Sequence, residues 1–270
     1  MKKIELLNSI DDFILELKYQ EKADKTLYKY RSDIMRFLDS IRHDNQVTKD
    51  DVMAYKKFIG SRYKPRSINS YIVAINKFLK WSGCDDLKVK KLKLQEKYSI
   101  DNVASDSEYK RILRYSKKMG YYEIYMIIKV IKSTGIRVSE LRFFTVEAIN
   151  KGFYIHIRNK GKDRDAILIQ ELARELRKYC RDHKITAGPI FTISKSTIWR
   201  RLQKIAGAAK VNLDKAHAHS FRHLFGKDYI EQFNDLVGLA DLLGHSSLET
   251  TRIYTRNTND EKRAKLESMR

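Results

Sequence analysis

The chain has 270 residues, of which 55 are Lys or Arg and 34 are Asp or Glu, giving a formal net charge of +21 with 42% hydrophobic residues. That length provides for one large core or two modest ones, and the positive excess selects polyanions, nucleic acid first, as partners. No apolar run approaches the ~18–20 residues that cross a bilayer, and the opening MKKIELLNSIDDF meets Asp11 and Asp12 before a signal-like core develops. The expectation is therefore a protein with no membrane partner, working in the reducing cytoplasm. Cys84 and Cys180 stand far apart without companions at metal-ligand spacing, so neither a disulfide framework nor a zinc site is indicated. Pro65 and Pro189 are the only prolines, which favours long uninterrupted helices.

Apolar residues recurring at i, i+3, i+4 and i+7 predict four amphipathic helices in the first hundred residues. The first, capped by Ser9, aligns Ile10, Phe13, Ile14 and Leu17, and the second starts near Asp24 and aligns Leu27, Tyr30, Ile34, Phe37, Leu38 and Ile41. The third follows a Thr48-x-x-Asp51 start with Val52, Tyr55, Phe58 and Ile59 inward, and Gly60 ends it. The fourth runs from about Ser67 to Ser82 with Ile68, Tyr71, Ile72, Ile75, Phe78 and Leu79 inward. The periodicity then fails: KVKKLKLQEK gives way to YSIDNVASDS, which predicts a linker over 96–107 between a domain at 1–95 and another at 108–270.

Helices are predicted next at Glu108 to Lys118 and at Tyr122 to Lys132, the latter rich enough in Ile and Met to be buried, then a short one through Glu140. FYIHIRN alternates Phe153, Ile155 and Ile157 with Tyr154, His156 and Arg158, the period of a half-buried strand, and AILIQ is read as the second strand of a hairpin turning near Gly161. The remainder reads helical: Glu171 to His183, Lys195 to Ala209, Ser220 to Gln232, Leu236 to Leu243 and Leu248 to Tyr254. The fold class expected is mainly α with a small antiparallel sheet: a helical core-binding bundle followed by a mixed α+β domain.

The second domain has no Gly-rich P-loop, no G-x-S-x-G elbow and no H-E-x-x-H, and no acidic cluster suited to paired metal ions. It carries instead an ordered series of cationic and proton-carrying groups. STGIRVSEL surrounds Arg137, RNKGKDR surrounds Lys160, HSFRH holds His219, Arg222 and His223, and LLGHSSLETTRIYT links His245 to Tyr254.

These motifs, T-G-x-R-x-S-E-L, H-x-x-R-H and L-G-H-S-S-x-x-T-T-x-x-Y in that order with a Lys-bearing hairpin between the first two, resemble those of the tyrosine recombinases, the Xer-type and phage-integrase-like enzymes. The likeness extends to the amino-terminal part, where KTLYKYRSDIMRFL and RSINSYIVAINKFLKW resemble helices of that family's core-binding domain. It implies DNA cleavage and rejoining through a 3′-phosphotyrosine on Tyr254 with a free 5′-hydroxyl, without ATP, metal or other cofactor. In that reading Arg137 and Arg222 clamp the non-bridging oxygens through fork-like hydrogen bonds that keep their charge at physiological pH. His219 is the candidate base or orienting group for a phenol whose ordinary pKa is about 10. Lys160, with Lys162 as the alternative, is the general acid for the departing 5′ oxygen, and His245 donates a further hydrogen bond to the phosphate.

Two domains forming a clamp around duplex DNA are expected to draw most affinity from backbone neutralisation. Candidate contacts are Lys64, Arg66, Lys77 and Lys80 flanking the fourth helix, Lys162 and Arg164 on the hairpin, and Lys195, Arg200, Arg201 and Lys204 on the helix before HSFRH. His217 is read as loop or DNA-facing, His223 as supporting the fold, and Glu140 as orienting a cation. The resemblance implies a homodimer on inverted half-sites, a homotetramer in synapsis, a Holliday junction and, for direction, an accessory protein, with the nucleoid as the place of action. The segment after Tyr254 is expected to dock on a neighbouring protomer. Two other classes stand beside this reading: type IB topoisomerase-like relaxation, and a catalytically silent DNA-binding protein on the same scaffold.

Overall fold

The computed structural model describes residues 1–94, 102–159, 162–245, 247–255, 263 and 266–269, and the chain divides into two units, 1–96 and 97–270. In the first unit the apolar stripes converge. Helices α1 (Lys3–Asn8), α2 (Ile10–Tyr19), α3 (Asp24–Ser40), α4 (Lys49–Gly60) and α5 (Pro65–Trp81) bury Leu6, Phe13, Leu17, Ile34, Phe37, Val52, Ile59, Ile72 and Phe78 against one another. Thr48 and Asp51 form the reciprocal cap of α4, and Pro65 opens α5, two residues earlier than Ser67, because the first helical position needs no N–H.

Two local readings are corrected in this unit. A helix, α1, precedes the one expected from Ser9, and the Ser9 hydroxyl donates back to the Leu6 carbonyl at 3.0 Å and does not cap α2. Phe58 is not inward: it is 43% exposed with the Arg62 guanidinium 4.1 Å above its ring, since α4 needs only three buried residues to cover the bundle. Lys77 is engaged by the Gln20 side chain at 3.3 Å.

The second unit starts earlier than its periodicity suggests. Ala104 is buried, its N–H donates to the Ser220 hydroxyl at 3.0 Å, and Ser105 and Glu108 cap each other at the start of α6 (Asp106–Lys118). The polar residues of SDSE thus serve a cap, and the free linker expected to reach 107 ends before Ala104; its residues 96–101 lie outside the described ones. Helix α7 (Tyr122–Thr134) is central, with Ile124, Ile127, Ile128, Val130 and Ile131 buried. A 3₁₀ turn (Val138–Phe143) and α8 (Val146–Lys151) lead to the hairpin, β1 (Tyr154–Asn159) and β2 (Lys162–Ile167), antiparallel in a register from Tyr154↔Ile167 to Asn159↔Lys162. Helices α9 (Gln170–Asp182), α10 (Lys195–Ala208), α11 (Ala218–Phe233), α12 (Leu236–Leu243) and α13 (Leu248–Thr251) follow, and a last 3₁₀ turn covers Arg252–Thr255.

The second strand is KDRDAI, displaced from the predicted AILIQ, and its inward residues are Ala166 and, just beyond it, Leu168. Ile167 and Ile169 are 46% and 55% exposed, so the apolar run that suggested the strand is half outward. On β1 the inward pair is Ile155 and Ile157, whereas Phe153, before the strand, is 40% exposed. The architecture is mainly helical with a small two-stranded sheet, as read from the sequence. Among the described residues no helix is long and apolar enough to cross a membrane.

Candidate active site

Arg137 follows α7 after Gly135 and Ile136 and stands just before the 3₁₀ turn. Its backbone N–H donates to Glu140 Oε2 at 2.7 Å and its Nη1 to Oε1 at 3.1 Å. Burial pushes the Glu140 carboxyl upward, but these bonds and the Arg164 and Arg137 guanidiniums outweigh it and hold the group below the usual carboxylate range, hence anionic. The Arg137 side chain remains 40% exposed.

Helix α11 presents the second motif on successive turns. His217, half-exposed in the loop before it, caps it, its Nδ1 accepting from the Ser220 N–H at 3.0 Å. Arg222 is 1% exposed and donates Nη1 to the Gly135 carbonyl at 2.5 Å and Nη2 to the Leu243 carbonyl at 2.9 Å and His245 Nε2 at 3.0 Å. Its described hydrogen-bond partners, the Tyr254 phenol among them, are neutral, the Glu140 carboxylate acts on it only through space, and its Nε has no partner among the described residues. Burial, then the nearby Arg137 charge, brings Arg222 down to about 10. His219 is exposed at the mouth of the site, and desolvation by its surroundings, Arg222, His217 and Arg137 lower its pKa, which leaves it neutral and able to accept a proton at neutral pH. His223 lies between His219 and Tyr254, with ring centroids 4.3 Å and 5.4 Å away, and burial first, then His219, His217 and Arg222, push it down to about 3.

The third motif closes the site from the other side. His245 Nδ1 is 2.8 Å from the Thr251 hydroxyl, and Thr251 is fully buried. Because Arg222 can only donate, Nε2 of His245 carries the lone pair and Nδ1 carries the proton, given to Thr251. Burial, Arg222 and Arg137 push His245 down to about 4. The Nε2 expected to donate to a phosphate therefore acts as an acceptor toward Arg222 in the DNA-free chain. Tyr254, in the last 3₁₀ turn, is 4% exposed and lies with its ring nearly parallel to His245, centroids 6.4 Å apart. It rests on the bare backbone of Gly226, where a Cβ would fall 2.5 Å from the ring. Burial raises the phenol's pKa against the opposing pull of Arg222 and Arg137, so the resting phenol keeps its proton at neutral pH.

Arg137, His219, Arg222, His245 and Tyr254 thus surround one locus. Lys160 lies outside the described residues; Lys162 pairs with Asn159 as the first residue of β2. Two of the expected DNA contacts have partners within the protein. Arg164 is 12% exposed and spends Nη2 on Glu140 Oε2 and Nη1 on the Leu242 carbonyl, each at 2.7 Å. Arg201 lies 4.0 Å from the Glu123 carboxylate with its guanidinium 5.4 Å from the Tyr121 ring. Lys64, Arg66, Lys80, Lys195, Arg200 and Lys204 are exposed. Sequence reasoning missed Thr251 and the inward role of Arg164; the only signal for the former is its place three residues before Tyr254 in T-T-x-x-Y.

Residues 102–261 match the phage integrase family. The chain is similar to the tyrosine recombinase XerA of Pyrococcus furiosus, 27% identical over 261 residues that cover 92% of this chain and 89% of the relative. It is also similar to the tyrosine recombinase XerH of Campylobacter jejuni, 33% identical over 146 residues, half of this chain and 41% of that one. Among solved structures it resembles a lambda integrase dimer bound to a COC′ core site, with a TM-score of 0.77, 17% identity and 96% of each chain covered. It also resembles the XerA recombinase, with a TM-score of 0.53, 24% identity, 97% of this chain covered and 98% of that one. At these identities the structural likeness speaks to the fold.

Proposed function

Given that the chain belongs to the phage integrase family, we propose that it is a site-specific DNA recombinase that cleaves and rejoins duplex DNA with Tyr254 as nucleophile. The observation that carries the assignment of residues is Arg222: a buried guanidinium whose described hydrogen-bond partners are two carbonyls, an imidazole and the phenol of a buried tyrosine. A buried charge with no anion bonded to it is costly, and a phosphodiester supplies the missing anion. Arg137, more exposed and steadied by Glu140, takes the other non-bridging oxygen. The same cations favour the phenolate as the phenol gives up its proton, and neutral His219 is the candidate base, with the His223 ring between it and the phenol. Lys160, four residues before Arg164 in the hairpin, protonates the leaving 5′ oxygen, so the phosphate ends on Tyr254 and the 5′-hydroxyl is free to return. Bond energy stays in the phosphotyrosine, and the reverse step rejoins the strand. An arriving phosphate also raises the pKa of His245, which lets Nε2 take a proton and donate to it.

On the partner side, two protomers bind inverted half-sites and two such dimers synapse through a Holliday junction, in the cytoplasm where the DNA lies. The exposed Lys64, Arg66, Lys80, Lys195, Arg200 and Lys204 supply backbone contacts. The test is covalent trapping. Full-length protein is incubated with a nicked duplex carrying the site it enriches from a randomised pool, in EDTA, and an SDS-resistant adduct is sought with wild type and Tyr254→Phe. An adduct from wild type alone is the expected result. Tight binding without an adduct supports the silent binder, and an adduct surviving in Tyr254→Phe refutes the choice of nucleophile.

A further inference from the structure

We infer that Arg164 is a positioning residue that locks β2 to both the Arg137 turn and the His245 turn, and cancels the charge of Glu140 so that Arg137 stays free for the phosphate. The inference rests on the recombinase reading above. From β2 the guanidinium reaches two separate segments: Nη2 donates to Glu140 Oε2 and Nη1 to the Leu242 carbonyl, each at 2.7 Å. Its aliphatic stem covers Gly244, where a Cβ would fall 2.5 Å from Arg164 Cδ, so the turn into His245 is shaped to admit it. Glu140 holds Arg137 by backbone and side chain at once. One side chain therefore ties β2 to two segments, each of which bears a proposed catalytic group.

Charge explains why the lock is built from an ion pair. A carboxylate beside a phosphate site opposes anion binding, yet Glu140 is needed to orient Arg137. Arg164, 12% exposed, neutralises Glu140, a carboxylate only 1% exposed. Lysine cannot replace it fully, because a single ammonium has no planar fork with which to serve two acceptors on different segments. Displacement of a reacting group by about 1 Å can cost ~10²-fold in rate, which sets the effect expected when the lock is opened.

The experiment measures DNA affinity, its salt slope and the saturating rate of adduct formation for wild type, Arg164→Met, Arg164→Lys and Arg164→Met/Glu140→Gln, on the enriched site, with thermal melting of each protein. Arg164→Met is expected to lose about 10²-fold in saturating rate, with affinity lowered by the stranded carboxylate and the salt slope unchanged. Arg164→Lys falls between it and wild type, and the double variant cleaves faster than Arg164→Met because the stranded carboxylate is gone. That charge rescue is an effect that a merely structural role would not produce. If Arg164→Met fails to fold, the double variant and Arg164→Lys carry the test by the same comparison with wild type. The inference is overturned by a wild-type saturating rate in Arg164→Met, by a shallower salt slope with unchanged rate, or by a double variant no faster than the poorer single one. A wild type that forms no adduct overturns the recombinase reading itself.

Discussion

Thr251→Val deletes one oxygen while keeping the shape of a fully buried side chain, so its consequences follow from a single bond. That oxygen accepts the Nδ1 proton of His245 at 2.8 Å, and the bond fixes the tautomer that leaves Nε2 open to Arg222. Without it, a buried N–H loses its acceptor at a cost of about 1–3 kcal/mol. If His245 escapes by moving its proton to Nε2, that nitrogen and Arg222 Nη2, 3.0 Å apart, become two donors facing each other, and the guanidinium shifts. Borne in the transition state, that cost lowers cleavage by about 5- to 150-fold at ~1.4 kcal/mol per decade. Borne in the folded state, it lowers the melting temperature by about 2–12 °C for a unit of this size. Thr251→Ser restores the oxygen and most of the activity. The assay is the rate of SDS-resistant adduct formation at saturating DNA, with calorimetry of each variant. Wild-type cleavage by Thr251→Val refutes the inferred tautomer and with it the positioning of His245.

Replacing the scissile 5′ oxygen by sulfur, which leaves without protonation, should rescue Lys160→Ala but not Arg222→Ala; rescue of Lys162→Ala in its place would move the general acid to Lys162. Arg66→Ala should make the slope of log affinity against log salt shallower by about 0.9, whereas Arg201→Ala, already held near Glu123 and Tyr121, should leave it unchanged, as filter binding over a salt series will report. Stability should fall on mild acidification. His245 and His223 have folded pKa values of about 4 and about 3, below the ordinary ~6.5, so the unfolded chain takes up protons that the folded one refuses. Their contribution is complete above about pH 6.5 and is lost as pH falls from there toward about 4. A melting temperature flat between pH 7 and 5 would contradict the buried neutral imidazoles.

Helical periodicity exposed most of the fold because each amphipathic stripe in the first unit has one neutral interior to cover, and Ile-rich α7 left no alternative to burial. It failed where polar residues serve the interior. In β2 the inward side of KDRDAI includes Arg164, and the outward Ile167, with Ile169 beyond the strand, carried the misleading apolar signal. Phe58 satisfies the spacing of a core residue, yet the Arg62 stem and guanidinium cover it from outside. In the candidate site, motif order identified the reacting groups because their chemistry restricts residue type. The groups that hold them, Thr251 and Arg164, are chosen by distances across 6 to 24 residues of chain, to His245 and Glu140, which no local pattern records.

The two carbonyls that receive Arg222 belong to Gly135 and Leu243, the closing residues of α7 and α12. A helix presents roughly half a negative charge at its carboxyl end, so two such ends together approach one unit of compensation for the guanidinium. The fold thus stabilises a buried cation with dipoles anchored in the backbone and not with a movable acid. A phosphate that enters has no resident ion to displace, and the field that meets it is already oriented before DNA arrives.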